Sequence, residues 1–160
     1  MRNTHTWLCL CLLATLFLSR GLASAIAGDP VRLGDHPELI LSSSQAWGEL
    51  GWNTAAHAPG TDGAPLQIGD ATYSCGLCHH AQGSITVLLE GEYAGFDAEV
   101  GLQPCGGGGS LVFRVYADGN LRFDSGTLRA TDESRSVHVE LAGARELRLE
   151  AADAGDGITC

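Results

Sequence analysis

Gly95-Phe-Asp-Ala-Glu-Val-Gly-Leu102 decides the fold. Phe96, Ala98, Val100 and Leu102 fall on one side of an extended chain, and Asp97 and Glu99 on the other. That two-residue period belongs to a strand with one buried face. The pattern recurs downstream: Leu111, Phe113 and Val115 oppose Val112, Arg114 and Tyr116. Ser136 to Leu141 and Glu146 to Ala151 repeat it. Upstream lie Leu39-Ile-Leu41 and Ser84 to Glu90, and Leu66-Gln-Ile68 and Ala71-Thr-Tyr73 flank Gly69-Asp70, a two-residue hairpin signal. Asp118-Gly119-Asn120 and Asp124-Ser125-Gly126 read as turns. Gln45 to Gly63 is irregular, and Gly106 to Gly109 reads as a connection between strands. Short alternating strands broken at Gly, Asp and Asn predict an all-β sandwich or barrel. No apolar spacing of three and four residues follows the first 25 residues.

The N-terminus has a different character. Arg2 and His5 precede an apolar run from Leu8 to Leu18, and Ala23-Ser24-Ala25 matches an A-x-A cleavage pattern. The run is too short for a membrane anchor, which needs about 18 or more apolar residues. Residues 1–25 are therefore read as a signal peptide, placing the protein outside the cytoplasm (secreted, periplasmic or extracellular). Residues 26–37 carry two prolines and read as a leader or linker, and residues 38–160 as a single β-domain.

The chain has 19 acidic residues and 9 basic ones. Two of the arginines, Arg2 and Arg20, lie in the signal, so seven remain against nineteen acids, a net charge of −12 with no lysine. Such a surface repels phosphate backbones and anionic lipid, which argues against nucleic-acid or membrane partners after cleavage. Of six cysteines, Cys75, Cys78, Cys105 and Cys160 follow the signal. In an exported protein these are disulfide candidates with three possible connectivities. Cys75 and Cys78 are too close together to clamp a loop, so each is expected to find a distant partner, and Cys160 to pair with an upstream cysteine.

Cys75-Gly-Leu-Cys78-His79 is also a formal C-x-x-C-H, the attachment signature of c-type haem. It supplies the alternative reading, an exported electron-transfer protein. Electron-transfer haem takes a second axial ligand, commonly Met or His. The only Met is the initiator, which leaves His57, His80 and His138. Small haem domains of this type are usually helical, unlike this pattern. Zinc fits poorly, because Cys75, Cys78, His79 and His80 crowd into six residues whereas zinc ligands come from separated pairs. A redox role lacks the helix N-terminus that lowers a thiol pKa. No G-x-S-x-G, H-E-x-x-H or phosphate loop is present, so the chain reads as non-catalytic.

An ordered series of segments carries more information. Trp47-Gly-Glu-Leu-Gly-Trp52 precedes Gly63-Ala-Pro-Leu66, Ile68-Gly-Asp-Ala-Thr-Tyr73 and Gly76-Leu-Cys-His-His-Ala81. Leu89-Glu-Gly-Glu-Tyr93, Ser110-Leu-Val-Phe-Arg-Val-Tyr116, Phe123-Asp-Ser-Gly126, Glu146-Leu-Arg-Leu149 and Asp153-Ala-Gly-Asp-Gly157 follow. The series resembles the NPCBM/NEW2 family, a carbohydrate-binding module found beside glycoside hydrolases such as those of family 98, over about residues 38–160.

The resemblance implies a jelly-roll β-sandwich of the galactose-binding-domain type that recognises glycans, galactose-type sugars among them. It maps His80 onto the family histidine and puts Cys78 in place of a glycine. Relatives continue past the equivalent of Cys160 into a last strand, so this sandwich is expected to lack that strand.

A sugar site needs an apolar or aromatic face and a few polar groups. The candidates are Trp52, His57, His80, Asp153 and Asp156. Trp47 and Trp52 could equally pack the end of the sandwich, and His80 could be satisfied within a loop. Asp153 and Asp156 could cap their own turn or join carbonyls around a structural calcium. No other cofactor is expected.

Overall fold

The computed structural model describes residues 30–104 and 109–155, together with the backbone alone of residues 9–17. Thirteen strands follow in order: β1 Cys9–Phe17, β2 Val31–Arg32, β3 Ile40–Gln45, β4 Gly51–Trp52, β5 Leu66–Ile68, β6 Ala71–Tyr73, β7 Leu77–His80, β8 Gly83–Leu88, β9 Gly95–Gln103, β10 Ser110–Ala117, β11 Asn120–Arg129, β12 Arg135–Glu140 and β13 Glu146–Asp153. One sheet (A) runs β12-β9-β1-β7-β4, with β2 beside β1; the other (B) runs β11-β10-β13-β8-β3; β5 and β6 form a separate hairpin. All these strand pairings are antiparallel. Among the described residues no helix is long and apolar enough to cross a membrane.

The two sheets face each other across the side chains that the two-residue period put on one side. Phe96, Val100 and Leu102 of β9 and Val137 and Val139 of β12 meet Leu111, Phe113 and Val115 of β10, Ile85 and Val87 of β8, and Leu147 and Leu149 of β13. Fully burying one such side chain contributes roughly 1.5–3 kcal/mol. The outward positions of β9, β10 and β13 carry Asp97, Glu99, Arg114, Arg148 and Glu150. The all-β sandwich expected from alternation is therefore the observed architecture.

A second, smaller cluster lies on the outer face of sheet A. Leu66 and Ile68 of the β5–β6 hairpin pack with Ala55 and with Cys78 of β7. The hairpin also reaches β9: a Cβ at Gly101 would collide with Ile68 Cγ2, so only glycine leaves room there. The Gln103 side chain fixes the approach, accepting a hydrogen bond from the Gln67 N–H at 2.8 Å and donating to the Pro65 carbonyl at 3.2 Å.

Local signals succeed and fail for physical reasons. Asp118 (φ +48°) and Gly119 (φ +76°) make the tight two-residue turn between β10 and β11. Asp124-Ser125-Gly126 does not reverse the chain. It makes a bulge inside β11, where Gly126 (φ +62°) donates to Asp124 Oδ1 at 2.7 Å. The buried Ser125 hydroxyl accepts from the Phe113 N–H at 2.8 Å, replacing the ladder bond that the bulge removes.

Two N-terminal segments take places in the sandwich. The stretch read as a leader enters the fold: Val31–Arg32 pairs with β1, and Leu33 is completely buried in the main core. Asn53 holds its turn, donating to the Gly34 carbonyl and to Asp35 Oδ1. The segment read as the apolar centre of a signal peptide lies between β7 and β9 as β1. Sheet A is thus continuous among its described strands.

Candidate functional site

Glutamine 45, at the end of β3, organises one rim of the sandwich. Its Oε1 accepts the His80 N–H at 3.0 Å and its Nε2 donates to the Gly48 carbonyl at 2.8 Å. This one side chain ties the Trp47–Glu49 turn to the end of β7. Gly48 (φ +77°) lets the backbone pass beside the His80 ring; a Cβ there would lie 3.1 Å from His80 Nδ1 and 2.6 Å from the His57 carbonyl. Glu49 and His57 form a bridge, with the Glu49 N–H donating to the His57 carbonyl at 2.9 Å.

The result brings Trp47, His57 and His80 together. The Trp47 and His80 rings meet edge to face with centroids 5.3 Å apart and planes at 74°. Burial holds the His80 imidazole below its ordinary pKa, a hydrogen bond with the Trp47 backbone works against that, and the charge of His57 lowers it further. His80 is therefore neutral at pH 7, with one ring nitrogen a donor and the other an acceptor. Trp47 is half-buried and leaves part of its ring at the surface.

The other candidates divide. Asp153, at the end of β13, lies by a neighbouring cleft of about 410 Å³ with Ser44, Gln82, Gly83, Ser84 and Glu150. β13 carries it there by pairing Ala151 with Gly83 of β8. Its Oδ1 accepts the Gly155 N–H at 2.9 Å, which is the self-capped turn. Trp52 pairs with Leu77 at the opposite end of β7, three residues (about 10 Å) from His80. It is 36% exposed and stands apart from the cluster. Asp156, Cys105 and Cys160 lie outside the described residues. A larger cleft of about 810 Å³, between the β5–β6 hairpin and the β11–β12 loop, has Tyr73, Asp70, Asp132 and Glu133 on its walls and none of the candidates.

The C-x-x-C-H segment is part of the sheet. Cys78 is completely buried and His79 is 1% exposed, both inside β7. Desolvation pushes the His79 pKa down to about 4. Its Nδ1 faces the His80 carbonyl at 3.1 Å, and its Nε2 has no partner among the described residues. Cys75 is a free, half-buried thiol, which removes it from the disulfide candidates. Cys78 is not bonded to Cys75. A haem needs both thiols and an open imidazole, so the geometry offers the alternative reading no support. Among the described residues no three His, Cys, Asp or Glu side chains converge as a metal site.

Sequence reasoning missed Gln45 and Gly83, whose roles depend on partners 35 residues away or more. It did single out Trp47-Gly-Glu-Leu-Gly-Trp52, the segment that builds the rim.

Known proteins share this fold. The chain is 28% identical to the CBM51 domain from Clostridium perfringens GH95, solved in complex with methyl-galactose; the superposition has a TM-score of 0.71 and covers 80% of this chain and 90% of that one. The CBM51-2 domain of Clostridium perfringens ZmpB, solved with GlcNAc, superposes with a TM-score of 0.69 at 21% identity, covering 79% of this chain and 28% of that one. These likenesses identify the sandwich as galactose-binding-domain-like. A Renibacterium salmoninarum protein named "Putative endo-alpha-N-acetylgalactosaminidase" is 32% identical over 121 residues, which is 74% of this chain; the chain spans only 8% of that protein's length. The NPCBM/NEW2 domain model matches residues 30–160, and the chain belongs to that family.

Proposed function

We propose that this chain is a non-catalytic glycan-binding module that works outside the cytoplasm, and that the Trp47–His57–His80 rim with the adjoining Ser44–Asp153 cleft forms its sugar site. The observation that carries the reading is the rim itself. An aromatic ring, a neutral imidazole and a small cleft of hydroxyl, amide and carboxylate groups lie side by side. A pyranose presents an apolar face and a ring of hydroxyls, and this combination answers both. The likeness to a domain solved with methyl-galactose supports galactose-type sugars as the first ligands to try. The relative with a glycosidase name supports an accessory role beside a hydrolase catalytic domain.

Calorimetric titration with methyl-galactoside and with GlcNAc tests the proposal, alongside a Trp47→Ala variant. Millimolar or tighter binding that the variant weakens about tenfold is the expected result. Binding unaffected by Trp47→Ala would move the site to the cleft around Tyr73. No binding to any glycan on an array would remove the function.

A further inference from the structure

The outer face of sheet A carries the larger cleft, about 810 Å³, which the proposed sugar site does not use. Its volume falls within the roughly 300–1,000 Å³ of small-molecule sites. One wall is the β5–β6 hairpin and the other is the loop between β11 and β12. The strand register brings them face to face. β12 begins at Arg135, the partner of Val100, so the loop before it arrives beside Gly101, on which Ile68 of the hairpin is seated.

Both walls are tied down. Gln103 fastens the hairpin to β9 through the Gln67 N–H and the Pro65 carbonyl, and Gln67 Nε2 donates to the Gly69 carbonyl at 2.7 Å. In the opposite loop, Asp132 Oδ2 accepts the Arg129 N–H at 2.9 Å, and the Asp132 N–H donates to the Arg129 carbonyl at 3.0 Å. A preformed cleft loses little conformational freedom when it binds.

The lining suits an uncharged sugar. Tyr73 packs against the outer cluster and leaves part of its ring to the cleft, where Ala71 and Ala130 extend the apolar surface. Such a ring takes the apolar face of a pyranose. The Thr131 and Ser134 hydroxyls and the Asp70 and Glu133 carboxylates stand around it, ready to accept hydrogen bonds from sugar hydroxyls. No Lys, Arg or His is among the described residues that line the cleft. An anionic sugar meets like charge there with no cation to offset it.

The cleft is separate from the rim. His80 and Gln103 are both register partners of Cys9, so their backbones lie two strand spacings apart, about 9.5 Å. Gly101, where the two walls face each other, is two residues (about 7 Å) further along β9. His80 lies on the same side of β7 as Cys78, which packs against the hairpin, so rim and cleft share the outer face of sheet A.

We infer that the Tyr73 cleft is a second sugar-binding site, selective for uncharged glycans and independent of the rim. The inference rests on the reading of the chain as a glycan-binding module, but not on the rim as its sugar site. Two weak sites on one face strengthen attachment to a surface that carries many sugars.

Amide chemical shifts of the full chain, titrated with methyl-galactoside and with methyl galacturonoside (the same ring bearing a carboxylate), test the inference. Methyl-galactoside is expected to move two groups of amides, one at Trp47–Glu49 and one at Gly69–Ala71 with Thr131–Ser134. Trp47→Ala should leave the second group unchanged, and Tyr73→Ala should weaken it about tenfold. Methyl galacturonoside should leave the second group still in the parent chain and move it in the double variant Asp70→Asn, Glu133→Gln. Both of those side chains are exposed, so this variant keeps the test sound if Tyr73→Ala disturbs the hairpin. If only the second group responds to methyl-galactoside, the cleft stands and the rim loses its proposed role. Shifts confined to the rim would overturn the inference and leave the proposed function intact. So would a galacturonoside that moves the second group in the parent, or that the double variant still refuses. No response to either sugar at any amide would remove the inference together with the reading it rests on.

Discussion

The Trp47 ring stands on the His80 ring at 5.3 Å, though the two residues come from opposite ends of the segment between β3 and β8. Removing the indole should uncover an imidazole that is neutral because it is buried. Trp47→Ala is expected to lower thermal stability by several degrees, consistent with the roughly 0.5–1.5 kcal/mol that an aromatic pair adds beyond its buried area. Trp47→Phe should recover most of it. A circular-dichroism melt of both variants checks this independently of sugar binding.

His79 should make the domain acid-sensitive. Its folded pKa is about 4, below the ordinary value of 6.5, so between those values the unfolded chain binds the extra proton. Stability should therefore be full above pH 6.5 and fall as the pH drops towards 4, by about 3 kcal/mol in all. His138 acts with the opposite sign: hydrogen bonds to Asp97 and Glu140 raise its pKa, so its contribution is present at low pH and fades as pH rises. Urea midpoints measured from pH 4 to pH 7.5 should show a steeper acid loss in His138→Gln than in the parent.

The bulge in β11 depends on one hydroxyl. Ser125 accepts from the buried Phe113 N–H and donates to the Gly126 carbonyl. Ser125→Ala leaves that amide without a partner and should cost about 1–3 kcal/mol. Chemical denaturation checks the value, and loss of exchange protection at the Phe113 amide checks the cause.

Gly101 and Ile68 should behave as a coupled pair. Gly101→Ala puts a methyl group where Ile68 lies and should cost about 1–3 kcal/mol through overpacking. Ile68→Ala alone should also destabilise, by emptying the outer cluster. The double variant should be more stable than the sum of the two losses, since each change relieves the other. A double-mutant cycle by urea denaturation measures the difference.

The strands with one wet face were legible because their sequence alternates. β9, β10, β12 and β13 bury the residues that the two-residue period put inside. β7 was not legible, because all four of its residues are buried and none marks an outer face. Its Cys-x-x-Cys-His spelling drew attention to chemistry where there is only packing. Leu33 was hidden in the same way: its neighbours look like a linker, and its burial depends on Asn53 holding the turn beside it. At the rim, the tryptophan-rich segment stood out in sequence, whereas the bond between Gln45 and His80 links positions that only the folded sheet brings together.

The placement of β1 also sets two processes against each other. Residues 9–17 are the part of the chain that an export apparatus would have to grip in extended, accessible form. In the folded chain they are hydrogen-bonded on both sides, at the middle of a sheet. A molecule that folds first hides its own address, and one that is captured first withholds β1 from the sheet. For the proposed exported protein, the relative speed of folding and capture then decides whether β1 reaches the middle of sheet A.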